Sequence, residues 1–412
     1  MPVLKGNAIV GQSGGPTAAI NATLSGVIRG CCDAAKNGTI GTVYGMKNGI
    51  DGLINGKYID LSYMWEDEDQ LSLLENTPAA ALGSCRRKLP DPNGDSDVYP
   101  KLIELFKKLD IRYFFYIGGN DSMDTAAKLD VYAKRVGYDM RVMGVPKTVD
   151  NDLCETDHTP GFGSAAKYIA TTVTEVIADC AVYDIPAVTV IEIMGRDTGW
   201  LTSAAGAGAA VGNPIPDLIY FPEKVFDLEK LYSDVEKALA KHPNVVIAVS
   251  EGIRFADGSF VGEDKSGAVD VFGHKQLSGA AKVVASAIKA KFGCKTRGIE
   301  LNTVQRCANH IASLTDLKES VKIGSEAVKS AVNGASGCTV VYKRVSDEPY
   351  EVRYETADVR LIANRVKYLP DSFINADENG ITEDCLKYLL PLMAGETSPT
   401  YERGIIKHFT FR

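Results

Sequence analysis

Short apolar runs that end in glycine-containing turns, each followed by an amphipathic stretch of helical length, recur along most of this chain. Ala8–Val10, Tyr113–Ile117, Arg141–Val145, Val188–Ile193, Val245–Val249 and Gly298–Leu301 read as strands. Ala18–Cys32, Met123–Arg135, Ala165–Ala178, Glu229–Ala240, Ala280–Lys291 and Leu317–Val332 read as helices. A β-then-α rhythm predicts parallel sheets covered by helices. The strands are continuous apolar runs rather than alternating ones, as expected of strands buried on both faces. In such open α/β sheets ligands bind beyond the carboxyl ends of the strands, where most of the glycine clusters fall.

At 412 residues the chain is too long for one ordinary core and suits two packed Rossmann-like lobes with a cleft between them. The stretch Tyr354–Arg412 has a weaker rhythm and more charge and reads as a C-terminal extension packed on the lobes. With 45% hydrophobic and 24% charged residues the composition is that of a soluble globular protein. No apolar run reaches the roughly 18–20 residues of a membrane span, and Met1 to Gly6 is too short to precede the first strand as a secretory signal. Nine cysteines without C-x-x-C pairs suggest reduced thiols and a cytoplasmic location, and five histidines show no metal-ligand spacing. A formal charge of −8 argues against nucleic acid and anionic membranes as partners. Any site for a small anion must therefore gather its cations locally.

Four strand-end motifs and a few shorter clusters carry candidate chemistry. Gly11-Gln12-Ser13-Gly14-Gly15-Pro16-Thr17 brings backbone N–H groups and a helix start together, either as a phosphate loop or as a tight strand–helix turn. It lacks the Lys-Ser/Thr of a Walker A loop. Ile117-Gly118-Gly119-Asn120-Asp121-Ser122 offers two glycines and then oxygen ligands, suited to a metal–phosphate group or to a helix cap. Val145 to Asp152 packs Lys147, Thr148, Asp150 and Asp152 into one turn: a carboxylate that can take a hydroxyl proton beside an ammonium that can neutralise a phosphoryl group. A solvated loop is the bland alternative. Glu192 to Trp200 delivers Gly195 and Arg196 together, for a phosphate or sugar or for a structural Arg–Asp pair. Gly83-Ser84-Cys85-Arg86-Arg87-Lys88 is a basic knot in an acidic chain. Glu251, Arg297 and Arg306 sit near strand ends, and His158 reads as a satisfied structural residue.

Taken in order, GQSGGPTAAIN, GSCRR, IGGNDS, PKTVDND, MGRDTGW, SEG and LNTVQR resemble the phosphofructokinase family, and its pyrophosphate-dependent branch most of all. The resemblance runs from about Val10 to Arg306. It implies a magnesium-dependent enzyme that phosphorylates the 1-hydroxyl of fructose 6-phosphate, with inorganic pyrophosphate as donor and reversibly. Asp150 would be the general base and Thr148 would contact the transferred group and the sugar. Met194, Gly195, Arg196 and Glu251 would hold the sugar phosphate, and Arg297 and Arg306 its 6-phosphate. Gly14, Arg86, Gly119 and Ser122 would hold the donor, and Asn120, where the family commonly has Asp, would organise Mg2+, either by itself or with Asp121 sharing the task. The family also implies homodimers or homotetramers with shared substrate contacts. The implied division is a donor lobe of residues 1–155 with about 305–345, a sugar-phosphate lobe of 156–304, and the extension 346–412.

Two positions decide the donor. ATP-using members usually have Gly where this chain has Asp121 and Lys147. Asp121 would set a negative charge where the α-phosphate of ATP must lie, at a cost of roughly 1 kcal/mol in water and about 4 at an effective dielectric near 20 for charges about 4 Å apart. Lys147 would compensate the denser charge of pyrophosphate in the same pocket. Three departures stand out: Asn120 itself, Ile185-Pro186-Ala187 where a subunit-crossing Arg is usual, and Asn302-Thr303 before Val304 and Gln305-Arg306. An ATP-dependent phosphofructokinase is the nearest alternative and a non-catalytic sugar-phosphate-binding subunit the next. A dinucleotide oxidoreductase is disfavoured by the missing G-x-G-x-x-G.

Overall fold

The structure is a computed structural model that describes residues 3–263 and 279–411. Two sheets organise it. The first contains β1 (Gly6–Gln12), β2 (Ile40–Met46), β3 (Tyr58–Asp60), β4 (Ile111–Gly118) and β5 (Arg141–Pro146), in the order β5-β4-β1-β2-β3. The second contains β6 (Ala187–Ile193), β7 (Leu218–Tyr220), β8 (Asn244–Ser250) and β9 (Lys295–Glu300), in the order β7-β8-β6-β9, all parallel. A hairpin of β10 (Cys338–Asp347) and β11 (Tyr350–Asp358) then extends the first sheet, with β10 parallel to β5 and β11 antiparallel at the edge.

The run Ile-Arg-Tyr-Phe-Phe-Tyr-Ile-Gly of β4 shows why the first sheet needs two covering layers. Side chains alternate across a strand. Tyr113, Phe115 and Ile117 enter one hydrophobic cluster, and Phe114 and Tyr116 the other. Ala8 and Val10 of β1 join the first cluster and Ile9 the second. The first face is covered by the helices Ile20–Lys36 and Leu314–Val332. These two cross at bare backbone: a methyl on Gly26 would lie 2.0 Å from the carbonyl oxygen of Val321, and one on Gly324 would lie 2.3 Å from that of Thr23. The other face is covered by Gly49–Ile54, Val98–Lys108 and Asn120–Arg135.

The helix Phe162–Cys180 covers one face of the second sheet, and the helices Leu228–Leu239 and Ala280–Phe292 the other. The C-terminal residues serve both halves. Leu389 and Leu392 of the helix Glu383–Leu392 are buried beside Phe162 and Trp200, whereas Phe409 is buried in the cluster of Leu24 and Val27 and its N–H bonds Thr77 Oγ1 at 2.8 Å.

Several boundaries differ from those expected. The first helix starts at Ile20 and runs on to Lys36, and the helix expected from Met123 starts at Asn120. The strand expected at Gly298–Leu301 is Lys295–Glu300. As an edge strand paired only with β6, β9 leaves Lys295 and Arg297 outside, so its apolar signal is confined to its last residues. Glycine-interrupted β2, the three-residue β3 and β7, and the charged hairpin β10–β11 carry too little apolar pattern to be expected from sequence.

Candidate active site

The carboxyl ends of β1, β4 and β5 face a common set of loops. Gly14 takes a left-handed φ of 75°, which glycine alone adopts without strain. Its N–H bonds Cys85 O at 3.1 Å and its carbonyl accepts from Ser84 Oγ at 2.6 Å. The basic knot 83–88 is thereby laid over the glycine loop. Lys147, buried at the end of β5, donates through Nζ to Gly15 O at 2.5 Å. A methyl on Gly15 would come within 3.1 Å of Arg306 Nη1, and one on Gly14 within 3.4 Å of Lys147 Nζ. Two cations from distant parts of the chain thus meet one turn. Burial, then the nearby Arg86, lowers the Arg306 pKa.

The Lys147–Asp152 loop is fixed by backbone and side chain together. Lys147 N–H bonds Gly118 O at 3.0 Å, seating β5 against β4. Thr148 Oγ1 accepts from Asp150 N–H at 3.2 Å, and Thr198 Oγ1 donates to Asp150 O at 3.1 Å. Asn151 turns through a left-handed φ of 53°. Burial first, then Asp152 and Glu251, push Asp150 up to about 7, against the pull of Lys147 and Arg306. Burial lowers Lys147 to about 8. A carboxylate and an ammonium poised this way can exchange a proton with a substrate hydroxyl and meet a phosphoryl charge near neutral pH.

Across the cleft, the carboxyl ends of β6, β8 and β9 build the second wall. Met194 N–H bonds Gln305 Oε1 at 3.2 Å, and Gly195 N–H bonds Glu251 Oε1 at 3.1 Å. A methyl on Gly252 would sit 1.9 Å from Arg196 O, so only glycine permits this approach. Burial raises Glu251, while the Gly195 N–H, Arg196 and Arg306 oppose it. Arg306 faces both Asp150 and Glu251 and so links the two walls electrostatically. A cleft lined by Glu192, Met194, Glu251, Glu300, Asn302 and Gln305 opens beside them. Asp197 pairs with Arg254.

Asn120 and Asp121 occupy the first turn of the helix Asn120–Arg135, with Gly119, not an Asn or Asp, at its cap. Ser122 is buried against Gly118, where a methyl would meet its Oγ at 1.9 Å. Asn120 Nδ2 donates to Arg365 O at 2.9 Å, and its Oδ1 is buried without a hydrogen-bond partner. Among the described residues no group of three or more His, Cys, Asp or Glu side chains is placed to hold a metal ion. The orphaned amide oxygen at a helix start fits a cation that arrives with its phosphates, as Mg2+ commonly does, and not one caged by protein carboxylates.

Two expectations need correction. Lys147 and Asp121 do not share one pocket: Lys147 is drawn inward by Gly15 O and Asp150, whereas Asp121 is half-exposed and lies 3.4 Å from Lys88 Nζ. Their side chains have different surroundings. Arg297 does not join the cluster within this chain. It lies toward the amino ends of β6 and β9, with Nη1 4.0 Å from Asp179, in a separate cleft with Tyr183, Ile185 and Ala187. Asp150, Lys147, Thr148, Gly14, Arg86, Gly119, Ser122, Met194, Gly195, Arg196, Glu251 and Arg306 all lie on the loops and helical turns that follow the strands of the two walls. Sequence reasoning missed Gln305 and Thr198 as supports, and it missed Lys367. The Lys367 Nζ donates to Asn151 Oδ1, Thr156 O and Asp157 O at 3.3, 3.0 and 2.7 Å.

Comparison with known proteins accords with this geometry. The family model described as phosphofructokinase matches residues 7–331. A pyrophosphate–fructose 6-phosphate 1-phosphotransferase of Halomonas elongata is 44% identical over 404 residues, 97% of this chain and 95% of that protein. One of the same name from Methylococcus capsulatus is 41% identical, over 98% of this chain and 95% of that protein. The crystal structure of a pyrophosphate-dependent phosphofructokinase from Nitrosospira multiformis superposes with a TM-score of 0.87 at 38% identity, covering 98% of this chain and 96% of that one. The chain belongs to the phosphofructokinase family.

Proposed function

We propose that this chain catalyses reversible phosphoryl transfer from inorganic pyrophosphate to the 1-hydroxyl of D-fructose 6-phosphate, giving fructose 1,6-bisphosphate and phosphate. The observation that carries the reading is the position of Asp150, in the electrostatic reach of Lys147 on one wall and of Glu251 and Arg306 on the other. The names of the full-length relatives give the donor and acceptor.

In this reading the sugar lies against Met194, Gly195, Arg196 and Glu251, and pyrophosphate against the Gly14 loop, Gly119, Ser122, Arg86 and Lys147. Asp150 accepts the proton of the 1-hydroxyl as its oxygen bonds to phosphorus. The bond from that phosphorus to the bridging oxygen breaks, and orthophosphate leaves. Thr148 positions the transferred group, and Lys147 and Arg306 stabilise the charge that spreads over its oxygens. Asn120 Oδ1 would help hold Mg2+ arriving with the donor, and the ion would supply charge neutralisation to the phosphates. In the reverse direction Asp150 returns the proton.

Residues 1–155 with about 305–345 form the donor lobe, 156–304 the sugar-phosphate lobe, and 346–412 an extension across both. Homodimers or homotetramers are part of the proposal: Tyr183 and Ile185 are exposed apolar residues in the cleft that holds Arg297, which lies beside Asp179 and would serve a neighbouring copy. Among the described residues no helix is long and apolar enough to cross a membrane. A cytoplasmic enzyme without nucleic-acid partners fits this and the net charge of −8. The test is a coupled assay with fructose 6-phosphate and Mg2+, comparing pyrophosphate with ATP. Turnover with pyrophosphate is expected; turnover with ATP alone would reassign the donor, and sugar-phosphate binding without turnover would make the chain a binding subunit.

A further inference from the structure

The family match ends at residue 331, yet the chain beyond it reaches the centre of the site. Lys367 N–H bonds Asp152 O at 2.8 Å. Its carbonyl accepts from Trp200 Nε1 at 2.9 Å, and its ammonium lies 5.0 Å from the centre of the Trp200 ring. Two residues earlier, Arg365 O accepts from Asn120 Nδ2 at 2.9 Å. Two residues of the C-terminal segment therefore touch the donor-side helix start, the Asp150 loop and the sugar-side turn. Tyr388 adds a second tie: its hydroxyl accepts from Asn151 Nδ2 at 2.9 Å and donates to Asp157 O at 2.7 Å.

The donor count of Lys367 decides what this contact is for. An ammonium has three N–H groups, and all three have acceptors in Asn151, Thr156 and Asp157. None is left to bind a phosphate. The left-handed Asn151 that follows Asp150 is held from both sides, by Lys367 on its amide oxygen and by Tyr388 on its amide nitrogen. Burial pulls Lys367 down to about 8, with Asp157 and Asp152 opposing.

We propose that Lys367, with Tyr388 behind it, is a positioning residue for phosphoryl transfer: the C-terminal segment clamps the Asp150–Asn151–Asp152 turn so that the Asp150 carboxylate meets the attacking hydroxyl. This rests on the reaction proposed above. A misplacement of about 1 Å at such a group costs on the order of a hundredfold in rate, so the clamp is expected in kcat and not in KM.

The experiment compares the full chain with Lys367→Met and Tyr388→Phe, each checked for cooperative thermal unfolding. With pyrophosphate and fructose 6-phosphate, kcat of Lys367→Met is expected to fall about a hundredfold, with both KM values within about threefold of the parent. Hydrogen exchange of the 150–153 amides is expected to accelerate while that of 113–117 does not. A folded Lys367→Met with parental kcat overturns the proposal, as does a raised KM at unchanged kcat. If Lys367→Met does not fold, Tyr388→Phe decides: a kcat loss of about tenfold supports the clamp and an unchanged kcat overturns it. If the parent itself does not turn over, the proposed reaction fails. The clamp is then judged by exchange alone and fails if the 150–153 amides are as protected in the variant as in the parent.

Discussion

Lys147 Nζ is bonded to the carbonyl oxygen of Gly15 at 2.5 Å, which ties the ammonium to the turn that follows β1. The cation is thus fixed before any donor arrives, as preorganised charge stabilisation requires. Lys147→Met is expected to lower kcat with pyrophosphate by about a hundredfold to a thousandfold while fructose 6-phosphate still binds. Steady-state kinetics with an equilibrium titration of the sugar phosphate checks both halves.

Asp150 at about 7 and Lys147 at about 8 set a narrow working range. The base must be deprotonated and the ammonium protonated, so activity should rise as pH passes about 7 and fall above about 8. Asp150→Ser should remove the acid limb of the profile and most of kcat, with little change in KM.

The same raised pKa makes a stability prediction. Between the ordinary carboxylate range and about 7 the folded Asp150 holds a proton that the unfolded chain has released, so stability falls as pH rises through that window. Asp150→Asn removes the buried charge. Its melting temperature should equal or exceed that of the parent at pH 8, and the advantage should vanish near pH 4. Calorimetry at both pH values tests the sign.

Asp121 is half-exposed beside Lys88, so its effect on donor choice is smaller than a buried charge would give. Asp121→Gly is expected to improve use of ATP about tenfold relative to pyrophosphate, measured as the ratio of kcat/KM values. An unchanged ratio would separate Asp121 from donor selection.

His158 is stacked 4.2 Å from the Tyr342 ring with its two ring nitrogens 2.9 Å from Asp157 and 2.7 Å from Glu319. Burial pulls its pKa down, yet the two carboxylates hold it above the ordinary value. That contribution is full below the unfolded pKa and is lost as pH rises through the folded one. His158→Gln should destabilise the protein by about 3 kcal/mol or more at pH 6, and the loss should shrink by pH 9. Urea unfolding at the two pH values measures it.

What the sequence made legible follows a physical divide. The aromatic run of β4 and the glycine turns after β1 and β4 announce themselves because local pattern and tertiary place agree. Edge strand β9 is expected to start three residues late because Lys295 and Arg297, in its first half, are exposed. Asp150, Lys147 and Thr148 were identifiable as a dense polar turn at a strand end, but no local signal says that Lys147 turns toward Gly15 and not toward Asp121. Lys367 lies in a stretch without rhythm, and its partners are mostly backbone carbonyls, which have no sequence signature at all.

Phe409 is buried in a cluster with residues laid down near the start of the chain, 332 positions from its hydrogen-bond partner Thr77. Contacts of such separation form late, because a very large loop must close first. On the ribosome, the hydrophobic layer beneath the first sheet would wait, one aromatic short, until residue 409 has been made. A pause or truncation ahead of residue 409 should accordingly yield a sticky, chaperone-dependent species in place of a slightly shortened enzyme.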